Sequence, residues 1–266
     1  MKMINEKCVV VVFALICLLA SQCLHSQEFR GIEGRWQISN ISPEEARQRA
    51  IEEAKKEALR RAGIEERIRA TEALSTIDSK EQFQQMYSSF SSVELNGAIT
   101  RFDVVKDEII KENIDGQLYA TITINATVKK YTTKPDPEFK FEVRGLRNGY
   151  RNGELITFSV NPNKEGYLKI FVVDNNVDAA QLFPNYLEPN RKMNTKENVS
   201  FPTSNIQYTA KKTTKERHEH NLWVFVYTKS DIPFYSEVTY QSVLDWINKI
   251  EPYDREVVIE VLLLTE

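Results

Sequence analysis

The hydrophobic pattern changes period several times along the chain. It opens with an unbroken apolar run, Cys8 to Ala20, behind Lys2 and Lys7 and ahead of polar Ser21, Gln22, His25, Ser26 and Gln27. The run makes roughly 20 Å of helix at about 1.5 Å per residue, short of the ~20 residues that cross a bilayer core. A basic start, a short apolar core and a polar exit predict a secretory signal peptide over residues 1–26. Trp36, Ile38 and Ile41 then suggest a short strand. Ser42-Pro43-Glu44-Glu45 predicts a helix start, because Ser42 can cap, Pro43 suits the first turn and Glu45 completes a capping box. Ala46, Ala50, Ala54, Ala58 and Ala62 form a stripe of small residues on one helical face, a pattern that lets a helix lie close to its neighbour. Glu45–Arg49, Glu52–Lys56 and Glu57–Arg61 are favourably ordered i,i+4 pairs, and Gly63 is a natural stop. A second helical stretch is expected through Ile64, Ile68 and Leu74.

After Asn96-Gly97 the period becomes two. Leu118, Ala120, Ile122, Ile124, Ala126 and Val128 alternate with polar residues, which predicts a strand with one dry face. Its partner is expected over Ile99–Ile110, joined through Asp115-Gly116. Downstream, strands are expected at Phe139–Val143, Gly153–Val160, Gly166–Val173, Ala180–Phe183, Ile206–Ala210 and Leu222–Tyr227. Tyr186–Glu197 reads as a long polar loop. Tyr240, Val243, Leu244, Ile247 and Ile250 share a helical face. The nearly continuous apolar run Val257–Leu264 predicts a strand covered on both faces.

The prolines of Lys134-Pro135-Asp136-Pro137 mark a linker. The expected organisation is a signal peptide at 1–26, an α+β N-terminal domain of helices on a small antiparallel sheet at 27–131, a linker at 132–138, and a mainly-β, sandwich-like domain with a C-terminal helix and strand at 139–266.

Composition then narrows the function. With 41% hydrophobic and 27% charged residues, the chain has the make-up of a globular protein, neither disordered nor collagen-like. Residues 28–130 and 131–266 each carry two more acidic than basic side chains, so neither has the one-signed field that holds nucleic acid. The three cysteines, Cys8, Cys17 and Cys23, all lie in or beside the signal, which leaves no disulfide, thiol nucleophile or thiolate metal site beyond it. Cys23 also allows a minority reading as a lipidated cysteine, although Gln22 before it is a poor lipobox residue. Only in that case is a membrane contact expected.

Motifs for nucleotide binding, serine hydrolysis and zinc proteolysis are absent, and no cofactor is expected. His218 and His220 would point to one side if they lay on a strand, as weak metal candidates. Two ligands are too few, however, and solvated histidines are the favoured reading. Asp174, Asn176 and Asp178 have calcium-loop spacing, but Ala179 and Asn185 stand where such a loop needs Gly and Glu, so a hairpin turn is expected. A carboxylate pair such as Glu33 and Asp78 carries no catalytic assignment without geometry. The aromatics of the second half, among them Tyr150, Trp223, Tyr227 and Trp246, fit core packing first and a stacking surface second. The most suggestive segment is Pro184–Pro202, rimmed by Phe183, Asn185, Tyr186 and Phe201, since long ordered loops often carry function.

Several features together resemble the bacterial domain of unknown function 4384 across roughly 139–235. These are Gly153-Glu154, Gly166-Tyr167-Leu168, Leu182-Phe183-Pro184-Asn185, Phe201-Pro202 and the Leu222–Tyr227 strand leading to Ile232-Pro233. The Ala46–Ala62 helix before a hairpin is similar to the N-terminal domain of flagellar assembly protein T and related envelope lipoproteins. Both resemblances imply an exported envelope protein in the periplasm or cell envelope, and neither implies a catalytic residue. The expected function is a non-enzymatic interaction module with an envelope protein partner. A carbohydrate- or peptidoglycan-binding protein is the alternative, and a carboxylate-based hydrolase the third.

Overall fold

The computed structural model describes residues 26–39, 41–64, 83, 86, 87, 89, 90, 97–111, 116–174 and 178–266. The apolar run at 8–20, Cys23, Ile68, Leu74, Asp78, Asp115 and Asn176 lie outside the described residues. Among the described residues the fold is β-rich, with two α-helices of 19 and 10 residues. The chain separates into two compact units, one of residues up to Ile64 with Ile99–Lys130, the other of Glu65–Ala98 with Tyr131–Glu266.

The first unit is a three-stranded sheet in the order β1 (Ser26–Ile38), β3 (Leu118–Lys130), β2 (Gly97–Lys111), with helix α1 (Pro43–Arg61) packed on β1 and β3. The opening strand runs further back than Trp36 because Ser26–Phe29 pair with Ala126–Lys129 across a register shift before Ile32. The period-two pattern of β3 becomes its dry face, with Ala120, Ile122, Ile124, Ala126 and Val128 buried and Leu118 left exposed at the start. Ala46, Ala50, Ala54 and Ala58 are fully buried. Gly34 of β1 lies directly under α1, so close that a β-carbon there would stand 1.9 Å from the Ala50 carbonyl oxygen. The alanine stripe and this glycine are two halves of one close approach.

The cap and stop at the helix ends take effect, while the Glu45 side chain expected to close the capping box pairs with Arg49 instead. The Ser42 hydroxyl accepts from Glu45 N at 3.1 Å, and Gly63 closes the helix at φ +71° with its N–H on the Arg60 carbonyl. Glu45–Arg49 and Glu57–Arg61 pair at 2.6 and 2.8 Å. Ser42→Ala is expected to cost this unit about 1 kcal/mol in urea unfolding, with Ser42→Asp near wild type. A loss below roughly 0.3 kcal/mol would mean the cap is dispensable.

The second unit stacks two sheets. The larger has the order β10 (Lys192–Met193), β8 (Gly166–Val173), β13 (Glu219–Thr228), β14 (Arg255–Thr265), β5 (Gly149–Arg151), with β9 (Ala179–Phe183) also on β8. The smaller runs β11 (Val199–Phe201), β7 (Phe158–Pro162), β4 (Phe141–Arg144). Between them lies an aromatic core that includes Phe141, Phe158, Phe201, Phe225 and Tyr227. The expected single strand Gly153–Val160 is divided. β6 (Leu155–Ile156) pairs with β12 (Tyr208–Thr209), whereas β7 pairs with β4 and β11, so the chain changes partners at Thr157.

The opposite face of the large sheet carries a second core of Phe171, Val173, Leu222, Val224 and Val226. It is covered by Val243, Trp246 and Ile247 of helix α2 (Tyr240–Lys249) and by the helical residues Phe83, Met86 and Phe90. Strand β14 therefore meets apolar partners on both faces, Val258, Leu262 and Leu264 on one and Val257, Ile259 and Val261 on the other. The proline-flanked segment before β4 is tied to this unit. Asp136 accepts from Glu138 N at 3.0 Å and pairs with Lys229 at 2.8 Å, and Glu251 accepts from Thr132 and Thr133.

Candidate interaction site

The segment between β9 and β11 is built around two side chains that hold its base. Asn185 uses all of its hydrogen-bonding groups. Its Oδ1 accepts from the N–H of Leu187 at 2.8 Å and Glu188 at 2.9 Å, and its Nδ2 donates to the Leu182 carbonyl at 2.7 Å and to Glu188 Oε2 at 3.1 Å. Its own N–H donates to the Glu188 carbonyl at 2.9 Å. An asparagine that satisfies its own turn in this way is a compact bend former.

Glu188 is fully buried. Its Oε1 accepts from the backbone N–H and the hydroxyl of Thr203, the latter at 2.9 Å, and its Oε2 accepts from the Tyr208 hydroxyl as well as from Asn185. One carboxylate thus ties together the turn, the chain leaving β11 and strand β12. Burial and the Glu188 carboxylate push the Tyr208 phenol well above its usual range, so it stays a donor.

Phe183 and Phe201, expected at the rim, are each 2% exposed and pack edge to face at 5.1 Å within the aromatic core. Their Phe183–Pro184 and Phe201–Pro202 bonds are both cis. Further along, Met193 is buried in that core, and Arg191 and the Asn194 N–H both engage Glu197 at 2.9 Å. The stretch expected as a plain loop is therefore fastened at intervals. Tyr186 and Leu187 are the exception, exposed by 99% and 57% at the tip of the Asn185 turn. Of the four suggested rim residues, Tyr186 meets solvent, Asn185 shapes the turn, and the two phenylalanines anchor it. Sequence reasoning missed Glu188 and Leu187. Glu188 is one of 38 acidic side chains and carries no motif.

The histidines have different settings. His218 precedes β13 and is exposed, while His220 lies on β13 with its ring 5.6 Å from that of Phe83. The intervening Glu219 is buried and accepts from the N–H groups of Thr213 and Thr214, both at 2.8 Å. Thr213 Oγ1 lies 2.8 Å from Asp174 Oδ2 and 3.2 Å from Glu219 Oε1, so these carboxylates hold the approach to β13 in place. Asp174 and Asp178 close a turn, with mutual bonds of 2.9 and 3.0 Å. Among the described residues, no group of three or more His, Cys, Asp or Glu side chains is placed to hold a metal ion.

An open cavity of ≈ 450 Å³ is lined by Glu138, Glu142, Asn161, Lys164 and Lys196. Lys164 pairs with Glu138 at 3.0 Å, and Arg144 pairs with Glu142 at 2.6 Å. The Arg144 guanidinium holds the Glu142 carboxyl below its ordinary value.

The family model described as Domain of unknown function (DUF4384) matches residues 149–218. The match is narrower than the span expected from the sequence. It runs from β5 to the approach to β13 and includes the Glu188 network and the Tyr186–Leu187 tip. The matched segment supplies β5–β12, while β13, β14 and α2, which complete the two cores, lie beyond it. No curated protein matches the chain. No helix among the described residues is long and apolar enough to cross a membrane.

Proposed function

We propose that this is an exported cell-envelope protein that acts as a non-enzymatic binding module, with the Tyr186–Leu187 tip as the contact of its second unit. The observation that carries the reading is a nearly fully exposed tyrosine beside an exposed leucine on a turn whose base is held by Asn185 and the fully buried Glu188. Rigid aromatic anchors on pre-organised supports are what protein interfaces use, because little side-chain entropy is lost on binding. Export rests on the basic start and apolar run of residues 1–26, with lipidation at Cys23 as the variant that would add a membrane. The N-terminal unit is read as an α+β docking domain, similar to the N-terminal domain of flagellar assembly protein T. The support is its alanine-striped helix on a sheet.

The glycan-binding alternative draws on Tyr186, Tyr235 and Tyr253, which are exposed. The other rings that suggested it, among them Tyr150, Trp223 and Tyr227, fill the core.

The test is a crosslinked pull-down of the full-length protein from its own envelope, compared with Tyr186→Ser/Leu187→Ser and with Tyr253→Ser. A protein partner is expected to be lost with the double variant and kept with Tyr253→Ser, at unchanged melting temperature. The mass of the purified chain should correspond to removal of the N-terminal segment. Retention of every partner by the double variant would remove the tip from the proposal. Co-sedimentation with peptidoglycan sacculi in place of a protein partner would favour the glycan reading.

A further inference from the structure

Strand β2 is an edge of the first unit's sheet, and among the described residues no strand pairs with its outer side. Natural edges are blunted by bulges, prolines or charged side chains. The opposite edge, β1, carries such a device: its register shifts between Phe29 and Ile32, where Gly31 adopts φ +64°. In β2 the stretch Asp103–Lys111 has neither glycine nor proline and is strand throughout, and its charges, Asp103, Lys106, Asp107, Glu108 and Lys111, are of both signs, so a partner of matching order can pair them. It exposes Val104, Val105, Ile109 and Ile110 by 39–55%. Neighbouring residues of a strand point to opposite faces, so both faces of this stretch carry uncovered apolar groups.

The order of those residues specifies a partner. When Asp103-Val-Val-Lys-Asp-Glu-Ile-Ile-Lys111 is laid antiparallel to a copy of itself about Asp107, Val104 falls opposite Ile110 and Val105 opposite Ile109. In the same register Lys106 falls opposite Glu108, and Asp103 opposite Lys111. Every cross-strand pair away from the axis is then apolar–apolar or oppositely charged, the combinations that stabilise a sheet. The one like-charged pair is Asp107 with itself on the two-fold axis, and each Asp107 already holds its own Arg47 at 2.9 Å. A two-fold axis requires such a self-pair, because antiparallel ladders alternate hydrogen-bonded and non-bonded pairs. We infer that β2 is a self-association edge, through which two copies of this chain join their three-stranded sheets into one six-stranded antiparallel sheet.

The register makes the test specific. In the full chain with Cys8, Cys17 and Cys23 replaced by serine, Asp107→Cys places two thiols across the axis. At Cα separations of about 4.5–5.5 Å they can form a disulfide. Mild oxidation is expected to give a covalent dimer by mass, while Glu33→Cys on the opposite edge stays monomeric. By sedimentation, Lys106→Glu or Glu108→Lys should each weaken the dimer roughly tenfold, by setting like charges opposite one another twice. The Lys106→Glu/Glu108→Lys double variant should restore it. Three results would overturn the inference: a monomer at all concentrations up to roughly 100 μM, equal crosslinking at positions 33 and 107, or a dimer indifferent to the charge swaps.

Discussion

Gly34→Ala is expected to destabilise the first unit by roughly 4 kcal/mol, among the largest effects a single methyl group can have. The added carbon would stand 1.9 Å from the Ala50 carbonyl oxygen and 2.5 Å from the Ala54 nitrogen. Both are helix backbone atoms, which cannot rotate away as a side chain would. Relief requires α1 to lift from the sheet, and that would open the contact made by four fully buried alanines. Gly31→Ala is the control. Nothing lies within 4 Å of its added carbon, and only its φ of +64° is strained, so about 1 kcal/mol is expected there. Urea unfolding followed by far-ultraviolet circular dichroism measures both. If Gly34→Ala falls within about 1 kcal/mol of Gly31→Ala, the helix does not lie within contact distance of Gly34.

The second large effect is expected at Glu188. Replacing it with alanine leaves the Tyr208 hydroxyl, the Thr203 N–H and hydroxyl and one Asn185 amide hydrogen without their acceptor inside the protein. Of these donor residues only Tyr208 is buried, Asn185 is half-buried and Thr203 can turn to water; a buried donor stripped of a carboxylate costs up to about 3 kcal/mol, so a loss of about 3 kcal/mol is expected. Near 3 °C per kcal/mol, that is a melting point lower by about 10 °C. Glu188→Gln should be milder, because it keeps one carbonyl acceptor and the side-chain volume. Wild-type stability for Glu188→Ala would show that the network organises the turn without stabilising the unit. A normal melting point together with lost partner binding would assign Glu188 to pre-organising the tip.

The two effects differ in how far the sequence announced them. The alanine stripe on α1 is visible as a spacing, and it correctly suggested a close approach. Gly34, the other half of that approach, is an ordinary glycine in a strand until α1 is laid over it. Glu188 has no announcement at all, because its partners Thr203 and Tyr208 lie across a segment that reads as polar loop. Phe183 and Phe201 were suggested as a rim and became core, because both edges of the segment fold inward as strands. The division of Gly153–Val160 into β6 and β7 was likewise unseen, since period two continues through a change of partner.

What the sequence determined by itself is local: the cap and stop of α1, the dry face of β3, the amphipathic face of α2, and the two-sided character of β14. Each follows from side-chain periodicity and backbone preference within a dozen residues. Only the tertiary structure decided which strands became neighbours, that Phe83, Met86 and Phe90 cover a sheet formed by β8, β13 and β14 far downstream, that Glu188 is buried, and that Tyr186 is not. Those outcomes depend on contacts between residues distant along the chain, and no spacing within one segment encodes its partner.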